Sequence, residues 1–285
     1  MRRIGYVLSG TALCALSLVA VGGVAPGAVQ SAAPTHSHGV MIPAPSPQGG
    51  LQPLTGTHDQ STNWSGYAQS AGKSTGPFTG TEATFVVPKV AEPKKGVQYS
   101  ADWVGIGGFS EGTLVQDGIE VDNVNGKPLY RAWTEIIPAP EVPLVLTIHP
   151  GDMMQALVRE TAVNTWSMTV EDLTLGTQAN RTVSYHSSGA SAEAILERPQ
   201  VGGALANLAK TGEAVFDPGG VSTTPPGGTA VYTPFLTPLT GQTLHDIAMV
   251  NNAATKVIAT PSNADSDSDG FSVNDGAAVP APPAS

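Results

Sequence analysis

The runs Val115-Gln116-Asp117-Gly118-Ile119-Glu120-Val121 and Tyr130-Arg131-Ala132-Trp133-Thr134-Glu135 flank the dipeptide Asn125-Gly126, and their reading decides the fold class. Asn-Gly supplies the two positive-φ residues that a tight two-residue β-hairpin loop needs. Residues equidistant from that loop then face each other. Gln116 lies opposite Glu135, Gly118 opposite Trp133 and Glu120 opposite Arg131. Side chains alternate along a strand, so these six share one face. The other face carries Ile119, Val121, Tyr130 and Ala132 and reads as core. The polar and aromatic face therefore reads as a groove rather than a buried layer.

Outward from the hairpin, short β-type runs recur. Thr84–Val87, Leu144–Ile148, Trp166–Val170 and Arg181–Tyr185 are rich in β-branched and aromatic residues, with Gly or Pro punctuating most of the gaps. Only Ser191–Glu197 and Ala204–Lys210 look helix-like, and both are short. The 33 Gly and 24 Pro among 285 residues, with only 13% charged, describe a turn-rich chain without long amphipathic helices. Many short strands at this density predict an all-β, antiparallel β-sandwich in a single domain.

The ends read differently. Arg2 and Arg3 precede a small, largely apolar stretch, Ile4–Val24, and small residues follow to Ala33, so residues 1–33 read as an export signal. A membrane anchor is the competing reading, but Gly5, Ser9, Gly10, Gly22 and Gly23 dilute the apolar run. Residues 34–60 are rich in Pro, Gly, Ser and His and read as a linker or short pro-segment without its own core. The folded domain is expected near Ser61, spanning 61–276, and residues 277–285 form an Ala/Pro-rich tail expected to be disordered. The mature protein is expected to be secreted.

Removal of the signal takes away Cys14, the only cysteine, so no disulfide and no thiol nucleophile remain. It also takes Arg2 and Arg3, leaving 11 of the 13 basic residues against 23 acidic ones, a net −12. That charge argues against nucleic acid and anionic membrane as partners and is compatible with work at low pH. Nothing in the sequence demands more than a monomer.

Gly108-Phe109-Ser110-Glu111-Gly112 matches the G-x-S-x-G elbow, but that motif needs a strand before it and a helix after it, and Thr113–Val121 reads as strand. Asp265-Ser266-Asp267-Ser268-Asp269-Gly270 resembles the start of a calcium loop. The twelfth position, which should be Glu, is Gly276, so the string reads as a polar turn before the strand Phe271–Asn274. None of the six histidines, His36, His38, His58, His149, His186 and His245, has zinc-type spacing.

A set of segments follows in order: Asn63-Trp64-Ser65-Gly66-Tyr67, Trp103-Val104-Gly105-Ile106-Gly107-Gly108, Leu114-Val115-Gln116-Asp117-Gly118, Ala132-Trp133-Thr134-Glu135, Ala192-Glu193-Ala194-Ile195-Leu196-Glu197 and Leu205-Ala206-Asn207-Leu208. In this order they resemble the glutamic peptidases, the eqolisin family, in a bacterial form, over roughly residues 61–275. The resemblance implies a sandwich of two large antiparallel sheets and pepstatin-insensitive endopeptidase action on polypeptides at acid pH, with no cofactor. It implies Gln116 and Glu193 as the catalytic pair, with Trp64, Trp103, Trp133 and Glu135 at the substrate cleft. The residue types suit the chemistry. A Glu carboxylate can take a proton from water and return it to the leaving amine. A Gln amide can stabilise the oxyanion and orient the water.

Two other classes fit the same residues less well. A non-catalytic β-sandwich binding module for cell-wall polysaccharide or peptide would keep the tryptophan platform. A two-carboxylate glycosidase would use Glu135 and Glu193, without any supporting motif. The chain departs from the family pattern at Gly107, Arg131, Ile136 and Ala194. At Arg131 the family has an Asp, so a facing pair of acids becomes an Arg131–Glu120 ion pair here. Facing carboxylates favour protonation and hence low pH, so the optimum is expected to be less extreme than in fungal members. A pH–rate profile on an unfolded protein substrate should peak well above pH 2; a peak near pH 2 would contradict this.

Overall fold

Asn125 and Gly126 take φ of 54° and 83°, as the two-residue turn demands. The hairpin they close runs in the expected register, Gln116 opposite Glu135, Gly118 opposite Trp133 and Glu120 opposite Arg131. The computed structural model describes residues 36–45, 59–72, 75–91 and 96–285. The expected export signal at 1–33 lies outside the described residues, as does His58.

Thirteen strands of five or more residues form the frame: β1 Trp64–Ser70, β2 Gly80–Val86, β3 Ala101–Ile106, β4 Val115–Val124, β5 Lys127–Ile136, β6 Met153–Ala162, β7 Thr165–Asp172, β8 Thr177–Ser184, β9 Ser191–Glu197, β10 Glu213–Ser222, β11 Thr243–Val250, β12 Val257–Pro261 and β13 Phe271–Asp275. Their antiparallel ladders run β5-β4-β3-β9-β1-β11-β12-β13-β10-β2-β6-β7-β8. The ribbon folds back on itself, so that β3 and β4 lie against β6 and β7. Val104, Ile106, Ile119 and Val121 from one layer meet Ala156, Val158, Met168 and Val170 from the other in a continuous core. The result is the all-β antiparallel sandwich expected from the sequence, and no helix occurs among the described residues.

Local expectations fail where tertiary pairing overrides propensity. Ser191–Glu197, helix-like in sequence, is β9; it lies between β1 and β3 and is buried at every residue. Ala204–Lys210 is not helical either. Ala204 and Leu205 pair with Val201 and Gln200, and Leu208 bridges to Tyr99. Leu144–Ile148 was expected as a strand and is not one. Leu144 N–H donates to the Ala132 carbonyl, but Leu146 N–H turns back to the carbonyl of Leu144, so no ladder continues. Packing also begins before Ser61: His36–Ser37 pair with Gln200–Val201, and the segment from His36 to Ala44 lies on the outer face of the sheet containing β4 and β5.

Two acids sit inside the sandwich. Asp102 and Asp117 occupy inward positions beside Ile119 and Val104 and are 2% and 0% exposed. Burial pushes Asp102 up to about 7 and Asp117 well above the ordinary aspartate range of 3.8. A raised folded-state value means the neutral acid is the form the fold accommodates. Its contribution is complete below pH 3.8 and is lost as pH rises through about 7. The protein should therefore unfold more readily at pH 8 than at pH 4, by something on the order of 4 kcal/mol from Asp102 alone. In urea unfolding, Asp102→Asn should match wild type near pH 4 and exceed it at pH 8; equal stability of the two proteins at pH 8 would refute the assignment.

Candidate active site

Strand pairing lays the outer face of the β5-β4-β3-β9-β1-β11 layer out in rows. One row reads Glu135, Gln116, Gly105, Glu193, Ala68, His245. The next reads Trp133, Gly118, Trp103, Ile195, Gly66, Ile247, and the third Arg131, Glu120, Ala101, Glu197, Trp64. All six residues singled out from the sequence, Gln116, Glu193, Trp64, Trp103, Trp133 and Glu135, therefore share one face. Gln116 and Glu193 are two strands apart, about 10 Å between backbones. Gly105 stands between them without a side chain; a Cβ there would come within 2.9 Å of the Trp103 ring and 3.2 Å of the Gln116 Cβ. Gly118 likewise leaves room for Trp103, since a Cβ there would meet the Trp103 Cβ at 2.5 Å.

The face is not the open groove expected. Gln116 and Glu135 are fully buried and Trp133 is 1% exposed beneath residues 36–45, while Glu193, also fully buried, has Ser191, Glu111 and Phe109 as its polar neighbours. The cover is held by its main chain. His38 N–H donates to Glu135 Oε2 at 2.8 Å, and the Gln116 amide donates to the His38 carbonyl at 2.5 Å. Gly39 N–H reaches Glu197 Oε1 at 3.2 Å, and its carbonyl accepts from Trp64 Nε1 at 3.0 Å. Asn63 takes the Val40 carbonyl at 3.1 Å and the Ile42 N–H at 2.8 Å, and Met41 N–H reaches the Gly108 carbonyl. Val40 and Met41 pack on a cluster that contains Trp64, Trp103, Leu114 and Trp133.

Two histidines anchor the cover through their side chains. The His38 ring stacks on Trp133, centroids 3.7 Å apart and planes 8° from parallel. His38 Nε2 is 3.3 Å from Glu141 Oε2 and Nδ1 is 3.4 Å from Glu197 Oε2. Burial opposes charge on His38, but the hydrogen bond to Glu141 and the neighbouring Glu197 carboxylate outweigh it and hold the ring at about 9. It is thus a cation on an indole face. Burial dominates at His36 and lowers it to about 4, while its Nδ1 contacts Glu120. Arg131 also reaches Glu120, as the hairpin register predicts.

Burial is the leading influence on the carboxyls. It pushes Glu135 up to about 8 and raises Glu197 and, more strongly, Glu193. The Ser191 hydroxyl and Phe109 amide oppose the Glu193 shift, yet neither makes a geometrically sound hydrogen bond to it, and both its oxygens are unpartnered. Burial thus favours the neutral form of Glu193. His36, His38, Glu120 and Glu141 bring metal-ligand atom types within 4.8 Å of one another. Arg131 and the charged His38 already balance those carboxylates, so we assign no metal there.

The model of the Peptidase A4 family matches residues 62–269. The chain belongs to the Peptidase A4 family, the glutamic peptidases or eqolisins. Aspergillopepsin-2 of Aspergillus niger is 29% identical over 213 residues, which is 66% of this chain and 73% of that protein. Scytalido-glutamic peptidase, solved with a peptide-based transition-state analog, shares the fold at a TM-score of 0.55 and 24% identity over 75% of this chain and 98% of its own. SCP-B, an eqolisin solved with the tripeptide Ala-Ile-His, does so at 0.50 and 22% over the same shares. The chain is accordingly a peptidase by family, and its substrates are polypeptides.

Two departures from the eqolisin pattern acquire physical meaning. Ala194 alternates with Glu193 and faces the sandwich core with Tyr67 and Val104, so it alters packing beneath the cleft rather than the cleft surface. Gly107 has φ of 91°, and a Cβ there would lie 2.3 Å from the Thr113 carbonyl, so this loop path admits only glycine. Ser110 of the G-x-S-x-G match lies exposed in the loop between β3 and β4, with no helix after it. The residues that sequence reading passed over are His36, His38, Glu141 and Glu197. The available signal was His-Ser-His, whose alternation puts both rings on one side of an extended chain.

Proposed function

We propose that this eqolisin is a secreted acid endopeptidase made in a latent form, with Gln116 and Glu193 as its catalytic pair. One observation carries the reading. A segment of the chain itself crosses the candidate cleft in extended form, with the carbonyl of His38 on the Gln116 amide and the N–H of His38 on Glu135. The contacts from His38 to Ile42 include both the N–H and C=O of His38 and Gly39. Recognition of that kind reads main chain rather than sequence, which suits an endopeptidase.

In this reading a substrate carbonyl takes the place of the His38 carbonyl. Gln116 Nε2 donates to the oxyanion as it forms. The Gln116 Oε1, which has no protein partner, is free to accept from the attacking water. Once water reaches the cleft the burial that keeps Glu193 protonated is relieved and the group ionises; the carboxylate then takes the proton of the attacking water and delivers it to the leaving amine nitrogen as the C–N bond breaks. Trp64 and Glu135 hold the flanking peptide units, and Trp103 and Trp133 form the floor. Residues 36–45 serve as the short pro-segment, and residues 61–276 as the peptidase domain. Acid conditions agree with the burial of so many carboxyls and with the chain's net charge of −10. Among the described residues no helix is long and apolar enough to cross a membrane, and the export-signal reading of residues 1–33 supplies the route out of the cell.

The test uses the processed protein, an unfolded protein substrate and pepstatin across acid pH. Wild type should cleave. Gln116→Ala and Glu193→Gln should each lower kcat by about 100-fold or more, the scale of losing an oxyanion donor or a general base. Undiminished cleavage by both variants would remove the mechanism. Failure of wild type to cleave, with retention on a polysaccharide, would favour a binding module.

A further inference from the structure

We propose that Asp217, Asp265 and Asp269 form a calcium site that pins the β12–β13 loop to β10. The string Asp265-Ser266-Asp267-Ser268-Asp269-Gly270 places acids at the first, third and fifth positions of a calcium loop and glycine at the sixth, while the twelfth position is Gly276. The fold supplies the missing acid from elsewhere. The β10–β2 register shifts between Phe216 and Gly219, and Asp217 lies in that irregular stretch. One carboxylate oxygen each from Asp217, Asp265 and Asp269 then lies within 4.8 Å of the others.

Further observations point to a cation. Asp265 is 7% exposed, and its Oδ2 is buried without any hydrogen-bond partner. Its other oxygen already accepts from the Asp269 N–H at 3.2 Å. Gly270 is the residue that lets the acids converge: a Cβ there would lie 2.4 Å from Asp265 Oδ2 and 2.8 Å from the Asp217 Cγ. The charges acting on Asp217 and Asp269 are all carboxylates, Asp267 included. The loop is meanwhile held rigidly by its backbone. Asp265 N–H bonds to the Gly270 carbonyl, Gly219 N–H to that of Asp269 and Leu236 N–H to that of Ser268. A fixed array of hard oxygen donors with no basic partner suits Ca2+, whose flexible shell also accepts carbonyls and water. Mg2+ would demand stricter octahedral geometry.

The experiment uses the whole chain after chelator treatment at pH 7, with Ca2+ alone as the probe, read by isothermal titration and by thermal unfolding. Wild type should bind one Ca2+ and gain about 5 °C in Tm at roughly 10 mM CaCl2, as expected for a Kd about a hundredfold lower. Asp265→Asn and Asp217→Asn should bind none. Because each removes like-charge repulsion, their Tm without calcium should equal or exceed that of wild type without calcium. Asp269→Asn provides a further variant should either of these fail to fold. No binding heat and no Tm shift in wild type would overturn the proposal, as would a full shift retained in the variants. None of these readouts involves peptidase activity, so the site stands or falls apart from the proposed function.

Discussion

A slip of one residue in the β4–β5 ladder would turn Gln116, Glu120, Trp133 and Glu135 into the sandwich and push Ile119, Val121 and Ala132 outward. Everything in the cleft depends on that register being held. Asn125-Gly126 fixes it at one end, and the apolar inner face fixes it along its length, since only one of the two alternating sets can be buried between sheets. From β4 the same parity passes through β3 to β9 and β1, because directly paired residues point the same way. That is how Glu193, distant in sequence, comes to stand in the same row as Gln116.

The site is built from residues that leave space as much as from residues that fill it. Gly105 and Gly118 remove side chains where Trp103 must lie and where Gln116 and Glu193 must face each other. The cover formed by residues 36–45 then uses the polar groups of that surface to satisfy its own backbone. The arrangement explains how Gln116, Glu120, Glu135 and Glu197 tolerate near-complete burial. Several are bonded to the main chain of the cover, others to His38 or Arg131. Glu193 is the exception, with no sound hydrogen bond, and its cost is lowest when it is protonated. Admission of water removes that cost from the carboxylate, so the group can ionise and then take and return a proton.

Legibility in the sequence divided along physical lines. The hairpin was readable because a turn and an alternating pattern are both local. So were the β2, β7 and β8 regions, whose composition matches a pleated surface. The strand identity of β9 was not, because Ala192, Glu193, Ala194 and Leu196 favour helix locally and only pairing on both edges overrides them. The register placed Gln116 on its face, and its role came from the family resemblance; for Glu193 both rested on the resemblance. Residues 36–45 were readable as a linker or short pro-segment, but their packing on this face was not, for a different reason. The segment has no core, so nothing in its own pattern shows that it packs against partners 80 to 160 positions away. Asp217 was likewise unreadable as a neighbour of Asp265, since a long stretch of chain and a local irregularity in β10 bring them together.

The central claim is that the outer face of β4, β3 and β9 is a peptide cleft which the chain fills with its own residues 36–45. The most direct test supplies that segment in trans. A synthetic peptide of residues 36–45 is added to protein lacking it, and KM and kcat are measured on a protein substrate. The account predicts competitive inhibition, with KM rising and kcat unchanged, and weaker inhibition by a peptide carrying His38→Ala, which loses the Trp133 stack and the Glu141 and Glu197 partners. No inhibition by the native peptide, or inhibition that lowers kcat while leaving KM unchanged, would contradict it.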